Sequence, residues 1–505
     1  MATLTGQGEL VIMSELDKKL FEIMLNVEEI DNFNIDEEME WSDSCICEFN
    51  TLKFKVQNCK LALTNTSESF MLWKEPPFPI YMSVYLFNWT NAQEVIRSKW
   101  NNKPKLKECG PYVFSQHHVR VNVTWNRNNT VTYQQKRIWK FIPSMSKGSM
   151  DDIITSVNPI SAVRFERFPR MFQFAINNIL KYFDEQIYKT KPVREWLFDG
   201  YHDRILTDIS ELAHFFGIEF NFDRMGWFYN RNNSAAYEGT FTIYTGIDDI
   251  SLLGMMNKWN GLSTTNAYEG PCSLINGSSG ELYPPIRSER QDIFLADVCG
   301  SITLQHDDYQ NVNGIIGHRF VSTDYTFDNG SKYSEQACYV NNAKIPAGVR
   351  NVAKCKFDAP AFLSLPHFYL GDSSYVKAVN GLRPNKTLHE MRAVFEPRTG
   401  IPLDVDVMLQ LNLFLNNIPG LSLFRNVKPV YMPVIWFKES GTIPENYSTT
   451  VKILLAVING GPYFMCGLIC LGTLMAIIGL YLLYGTDRAA PLPSYNQFEN
   501  EEKTE

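Results

Sequence analysis

Val119-Arg-Val-Asn-Val-Thr-Trp125 alternates apolar and polar residues, Asn126-Arg-Asn-Asn129 supplies turn formers, and Thr130-Val-Thr-Tyr133 resumes the alternation. Strand side chains point to opposite faces with a period of two, so this spacing predicts a β-hairpin. Val405, Val407, Leu409, Leu411, Leu413 and Leu415 alternate in the same way with Asp404, Asp406, Met408, Gln410, Asn412 and Phe414. That predicts a strand with one buried face. A different period governs Phe165, Phe168, Phe172, Ile176, Ile179, Phe183 and Ile187, which recur every three or four residues and predict an amphipathic helix over Arg164–Tyr188. A second helix is predicted after it, because Asp208-Ile-Ser-Glu211 has capping-box spacing and Gly217 follows Leu212-Ala-His-Phe-Phe216 as a stop. The chain therefore reads as a β-rich body with a helical insert.

From Ile453 to Tyr484 no charged residue occurs. About 20 apolar residues suffice to cross the hydrocarbon layer as a helix, so one membrane span is predicted here. Asn459-Gly-Gly-Pro462 is expected at its entry, Tyr481 and Tyr484 at the opposite interface, and a polar tail at 485–505.

The chain has 505 residues, 45% of them hydrophobic and 13% aromatic, enough to build a large core. Its formal charge of -8 is unevenly placed: residues 1–50 hold 13 acidic and 2 basic residues, leaving 45 basic against 42 acidic in the rest. The body thus lacks the strongly basic field that nucleic acid requires. Leu10–Ile30 mixes apolar residues with Glu15, Asp17, Lys18, Lys19, Glu22, Glu28 and Glu29, a pattern unlike a signal peptide or an anchor.

Nine Asn-x-Ser/Thr sequons stand at Asn65, Asn88, Asn122, Asn128, Asn232, Asn276, Asn329, Asn385 and Asn446, all ahead of the span. Their placement fits a glycosylated ectodomain. A body left in the cytosol would carry neither glycans nor stable disulfides, so either residues 1–50 are not the native start or the sequons are unused. Cys272, Cys299, Cys338 and Cys355 fall within a stretch rich in Gly, Pro and Asn, where two bridges in any of three connectivities are expected. Zinc is the alternative, opposed by spacings of 27, 39 and 17 with no Cys-x-x-Cys.

Signatures of catalysis are absent from the sequence: there is no Gly-x-Ser-x-Gly elbow, no phosphate-binding loop and no dinucleotide fingerprint. His389-Glu390 opens like a zinc-protease helix, but Ala393 holds the position of the second ligand. His117 and His118 must face opposite sides of a strand. Asp248-Asp249 and Asp307-Asp308 read as solvated turns. No enzyme, cofactor or metal is expected.

Particular blocks carry a resemblance. They are Ile80-Tyr-Met-Ser-Val-Tyr-Leu-Phe-Asn-Trp-Thr-Asn91, Glu108-Cys-Gly-Pro-Tyr-Val-Phe114, Trp227-Phe-Tyr-Asn-Arg-Asn-Asn-Ser234, Cys272-Ser-Leu-Ile-Asn-Gly277, Ser364-Leu-Pro-His-Phe368, Glu396-Pro-Arg-Thr-Gly400 and Met432-Pro-Val-Ile-Trp436. In order and content they resemble the class B scavenger receptors, the group that includes fatty acid translocase, the lysosomal integral membrane protein and the insect croquemort and sensory neuron membrane proteins. The wording of the first and third blocks resembles the arthropod branch.

The resemblance implies a mainly β protein with α: a large antiparallel β-barrel ectodomain over 51–450, an apical helical bundle at about 158–217, an internal hydrophobic tunnel, and a transmembrane helix at 453–484. It implies a first span as well, for which the acidic leader 1–50 offers no counterpart; an alternative or mispredicted first exon is the expected reason. Within 272–355 it implies the pairs Cys272–Cys338 and Cys299–Cys355, with Val340 where some members have a further Cys. At that apex, Arg164, Arg167, Arg170, Lys181, Lys189, Lys191 and Arg194, set against Glu166, Asp184, Glu185 and Glu195, accompany the apolar residues Phe168, Phe172, Ile176 and Ile179, a chemistry that suits a docking surface, the alternative being a core stripe with a solvated charged face. The expected partners are lipid, lipoprotein or anionic phospholipid, and strand positions within Val405–Leu415 are expected to line the tunnel.

A cell-surface receptor that binds lipids, lipoproteins or dying cells and passes lipid onward is thus the leading expectation. The alternatives are a lysosomal or endosomal enzyme-trafficking receptor, a sensory-neuron protein delivering an apolar odorant, and an adhesive membrane glycoprotein. Tyr495 and Phe498 resemble a tyrosine-based sorting signal for an endocytic adaptor. Cys466 and Cys470 are expected to pack within the span.

Overall fold

The computed structural model describes residues 61–160, 170–204, 206–207, 223–286, 288–340, 345–356, 359–418 and 420–486. The leader, Arg164, Arg167, Phe168, the expected helix at 208–217, Tyr495 and Phe498 lie outside them.

Strands β1 (Ile80–Trp89), β2 (Leu106–Trp125) and β3 (Thr130–Phe141) form a meander. Two small ribbons follow: β4 (Ile153–Val157) with β5 (Tyr188–Pro192), and β6 (Tyr201–His202) with β7 (Arg224–Met225). The remaining strands are β8 (Thr240–Tyr244), β9 (Met256–Trp259), β10 (Arg290–Leu295), β11 (Gly300–Val312), β12 (Ile315–Val321), β13 (Arg350–Asn351), β14 (Ala361–Ser364), β15 (Arg392–Phe395), β16 (Pro402–Leu415) and β17 (Val430–Thr442). The helices are α1 (Glu68–Lys74), α2 (Ala92–Arg97), α3 (Arg170–Tyr182), α4 (Val193–Leu197), α5 (Ser373–Ala378), α6 (Lys386–His389) and α7 (Glu445–Thr486).

Eleven strands pair in the order β10-β11-β12-β15-β16-β17-β1-β2-β3-β8-β9, all antiparallel. Ser278 bridges both to Met255, beside β9, and to Ile293 on β10, so the two ends of the path meet and the sheet nearly closes into a barrel. Closure removes the exposed edges that an open sheet of this length would carry.

The predicted hairpin is present but longer than its alternation, since β2 and β3 continue where β1 and β8 flank them. Asn129 in its turn takes φ 52°, a left-handed conformation that Asn tolerates. On β16 the expected burial is not what the structure holds: Val405, Val407 and Leu411 are only half-buried, whereas Asp404, Asp406, Gln410 and Asn412 are buried. Those polar groups are satisfied. Arg392 reaches Asp404 and Asp406 at 3.2 and 3.0 Å, Lys438 reaches Asp406 at 2.9 Å, and Asn412 donates to Ser364 Oγ at 2.9 Å.

The helix predicted through Tyr188 ends at Tyr182. Asp184 turns the chain with φ 48°, and Tyr188 enters β5, so Ile187 matches the helical period only by coincidence. Asp307 and Asp308 belong to β11 at a register shift rather than to a turn, and Arg319 approaches Asp307 at 3.2 Å. Asp249 accepts from Ser251 N, capping a short 3-10 turn at Ile250–Leu252.

Helix α7 runs without a break through Asn459-Gly-Gly-Pro462, the expected entry of the span. Its start is seated on the barrel: Val451 packs with Val312, Ile315, Val394 and Leu403, and Asn313 Nδ2 donates to Ile443 O at 2.8 Å. Cys466–Leu483 is the candidate membrane span, with mean hydropathy 2.3 and no buried residue.

Strand β17 sets the long axis. It begins shortly after Ser422–Phe424, the turn against which α3 packs, and ends three residues before the start of α7. Thirteen residues at about 3.3 Å each put these ends roughly 40 Å apart. Helix α3 therefore marks an apical end and α7 a basal one.

Candidate functional site

The apical helix α3 has two dissimilar faces. Leu180 is buried, and Ile179 and Phe183 pack against the main core, while Asn177 Oδ1 accepts from Ser422 N and Oγ. Phe174, Asn178, Lys181 and Tyr182 recur at helical spacing on the other side and are exposed, Phe174 at 68% and Tyr182 at 83%. Two large aromatics left open beside a cation form a surface able to take up both apolar and anionic groups. Of the residues singled out in the sequence, Lys181 lies on this open face and Ile179 on the packed one. Arg170, Phe172 and Ile176 are placed on α3 by its backbone.

Three other cations among the described residues, Lys189, Lys191 and Arg194, are engaged. Lys189 binds Glu185 and Asp203 at 2.7 and 2.8 Å, Lys191 binds Glu195 at 3.1 Å, and Arg194 pairs with Asp151. Burial alone would lower the Lys189 pKa, but its two carboxylate partners outweigh burial and raise it. Two of these pairs, Lys189–Glu185 and Lys191–Glu195, are four residues apart and legible in the sequence, whereas the partners Asp203 and Asp151 come from separate segments and leave no local pattern. The sequence pattern missed Phe174 and Tyr182 because neither falls on the apolar stripe.

Inside the barrel, Arg137 on β3 reaches Glu439 on β17 at 2.7 Å although two strands intervene. Only the concave face allows such a meeting. Leu409 and Phe437 are register partners, and Val407 is the partner of Glu439, so half-buried Val405, Val407, Leu411 and Phe437 share that concave face. The inner wall is thus apolar along β16, and beside Val407 the Arg137–Glu439 pair leads into an ion cluster: Arg137–Glu238 at 2.9 Å, Glu238–Arg231 at 2.7 Å, Arg231–Asp297 at 2.6 Å and Asp297–Lys356 at 3.2 Å. Burial works to raise the Asp297 pKa, yet Arg231 and Lys356 hold it well below the carboxylate range.

Disulfides join Cys272 to Cys338 and Cys299 to Cys355, with Cα separations of 5.8 and 6.0 Å. Asp297 and Lys356 flank the second bridge, which ties the ion cluster to the covalent one. Cys109 is a free thiol, as are Cys466 and Cys470.

On the convex face, His367 and His389 stack with ring centroids 4.5 Å apart, and His367 Nε2 meets Glu108 Oε2 at 2.6 Å. His389 Nδ1 accepts from Asn385 N at 3.0 Å. Burial first, and the neighbouring His367 second, push the His389 pKa down to about 4. Burial tends to raise Glu108, but hydrogen bonds from His367 and Trp436 bring it below its usual value. His389 ends a helix of four residues, so no zinc-protease helix exists there, and among the described residues no cluster of three or more His, Cys, Asp or Glu could hold a metal ion.

Seven of the nine sequon asparagines are exposed: Asn65, Asn122, Asn128, Asn232, Asn276, Asn385 and Asn446. Asn88 and Asn329 are half-buried, and Asn329 Nδ2 donates to Ile345 O at 2.7 Å.

Among the described residues, a near-closed antiparallel barrel, an apolar helix long enough to span a membrane and two disulfides occur together, and comparison with known proteins gives the class of protein. The CD36 family pattern matches residues 44–483. Protein peste of Drosophila melanogaster is 33% identical over 427 residues, covering 82% of this chain and 76% of that protein. Scavenger receptor class B member 1 of Bos taurus is 32% identical, covering 82% and 81%. Lysosome membrane protein 2 of Homo sapiens is 28% identical, covering 81% and 85%. The chain belongs to the CD36 family, the class B scavenger receptors.

Proposed function

We propose that this protein is a cell-surface receptor that captures lipid-bearing or anionic particles at its apical end and passes apolar lipid along the concave face of the barrel toward the membrane. The observation that carries the reading is the open face of α3, where Phe174, Lys181 and Tyr182 stand exposed roughly 40 Å from the start of α7. Two further facts support it. No sequon occurs between Asn128 and Asn232, so the segment holding α3 would stay free of glycan while other regions are covered. Val405, Val407, Leu411 and Phe437 on the concave wall are apolar and only half-buried, as a path for acyl chains requires. No catalytic group is needed for binding and passage.

The test is to express the full chain in cultured cells and offer vesicles of phosphatidylserine and phosphatidylcholine carrying a labelled acyl lipid. Binding that depends on phosphatidylserine, followed by appearance of the label in the cell membrane, is the expected result. Retention of the chain in lysosomes with no vesicle binding at the surface would instead favour an enzyme-trafficking role at the apical face.

A further inference from the structure

Residues 97–107, 377–383 and 425–428 together hold nine Lys and Arg and no Asp or Glu. The body beyond residue 50 is near charge balance, with 45 basic against 42 acidic residues, so this is a local excess that whole-chain composition conceals.

The fold brings the three segments to one place. Asn380 N donates to Pro104 O and Leu106 N donates to Asn380 O, both at 2.8 Å, which sets Lys105 beside Asn380 in a parallel bridge. Gly381 permits this approach, because it takes φ 105° and a Cβ there would strike Leu106 O. Lys428 Nζ donates to Asn101 Oδ1 at 3.3 Å and joins the third segment to the first. Asn91 holds the loop in shape: its Oδ1 accepts from Lys105 N at 2.8 Å and its Nδ2 donates to Lys103 O at 3.1 Å. The surface stands at the apical rim, where β1 ends, β2 begins and β17 begins two residues after Lys428.

All nine cations are exposed, and none forms an ion pair among the described residues. Lys103, Lys105 and Lys107 alternate with buried Pro104 and Leu106, so the three project to one side at intervals of about 7 Å. The large apolar residues of these segments turn inward: Trp100, Leu106, Leu382 and Val427 are buried. What remains beside the cations is a set of exposed amides, Asn101, Asn102, Asn380 and Asn426.

That chemistry discriminates among anionic partners. A lipid layer is met by apolar side chains that enter it, as Phe174 and Tyr182 offer on α3, and this surface presents none. Single-stranded nucleic acid is held by exposed aromatic rings that stack on its bases, whereas the one aromatic here, Trp100, is buried. A sulfated polysaccharide is polar throughout. Its sulfates pair with Lys and Arg, its hydroxyls bond to the amides, and its charge relieves the mutual repulsion of the cations.

We propose that the rim surface around Lys103 and Lys105 binds a sulfated polysaccharide, at a place separate from the open face of α3. Sequons Asn88, the register partner of Lys107, and Asn385, two residues past Arg383, adjoin the surface, so the test is centred on Lys103 and Lys105.

Cells displaying the full chain are offered fluorescent heparin and, separately, the phosphatidylserine vesicles described above. Lys103→Glu with Lys105→Glu is expected to lower heparin affinity about tenfold and to leave vesicle binding unchanged, while Lys181→Glu should do the reverse. Wild-type binding of heparin should weaken steeply as salt is raised and vanish when the sulfates are removed. The neutral pair Lys103→Gln with Lys105→Gln, expected to lower affinity about threefold, covers the case in which the charge-reversed chain does not reach the surface. Heparin binding that is unchanged in the variants at equal surface abundance, or undiminished by desulfation, overturns the proposal. A parallel loss of heparin and vesicle binding overturns it in favour of an anionic lipid surface, and tighter binding of duplex DNA than of heparin overturns it in favour of a nucleic acid.

Discussion

Asn177 accepts two hydrogen bonds from Ser422 through one amide oxygen, from the backbone N–H at 2.9 Å and from the hydroxyl at 3.1 Å. The apical helix is thereby fixed to the turn that leads into β17. Replacing Asn177 with Ala removes the acceptor and costs about 1–3 kcal/mol if the Ser422 N–H is left unpaired. Hydrogen exchange over 170–182 is expected to quicken while the β16–β17 pair stays protected; equal quickening in both would show that the bond serves the whole fold instead.

The two faces of α3 predict opposite phenotypes. Phe174→Asp together with Lys181→Glu should weaken binding of phosphatidylserine vesicles without loss of surface expression, because both side chains are exposed. Ile179→Ala removes packing against the core and should cost about 2 kcal/mol, read as lower surface abundance with normal binding per molecule. Reversal of the two outcomes would place the ligand on the packed face.

Acidification acts through His389. Its folded pKa of about 4 lies below the ordinary 6.5, so the unfolded chain binds the proton first. The stability it contributes is complete above about pH 6.5 and is lost as pH falls toward 4. His389→Gln keeps an acceptor for Asn385 N and cannot titrate, so its melting temperature should fall less than that of wild type between pH 7 and pH 5. Parallel slopes would assign the acid sensitivity to another group. Glu281 is opposed by burial but held far below the carboxylate range by Arg120 and His118, so it stays ionised across this window.

The covalent staples should be worth more than any single contact. Closing loops of 66 and 56 residues contributes about 4 kcal/mol each in the chain-entropy model. Cys299→Ser with Cys355→Ser is expected to reduce the surface pool sharply, measured by surface labelling at 37 °C. Undiminished surface expression would mean that the Arg231–Asp297–Lys356 cluster holds this lobe alone.

The sequence revealed the elements whose period is local: the β2–β3 hairpin, the strand at Val405–Leu415 and the apolar run at the C-terminal end. Periodicity locates a face without saying what covers it. The stripe through Ile179 and Phe183 therefore looked like a docking surface, although it is the side that packs, and the polar side of β16 looked solvated, although Arg392, Lys438 and Ser364 bury it with partners. Those partners come from strands far apart in sequence, as do Arg137 and Glu439. The blocks shared with class B scavenger receptors carried the barrel architecture, which no single segment encodes.

Strand β17 has a mechanical consequence. The apical helix is fastened near its first residue and the membrane helix follows its last, so a particle tugging on the apex pulls along the strand toward an anchored end. Its hydrogen bonds to β1 and β16 lie across that direction and are strained together, in shear, rather than opened one after another like a zipper. Cargo heavy enough to exert traction would thus be borne by the whole length of the barrel's central strand.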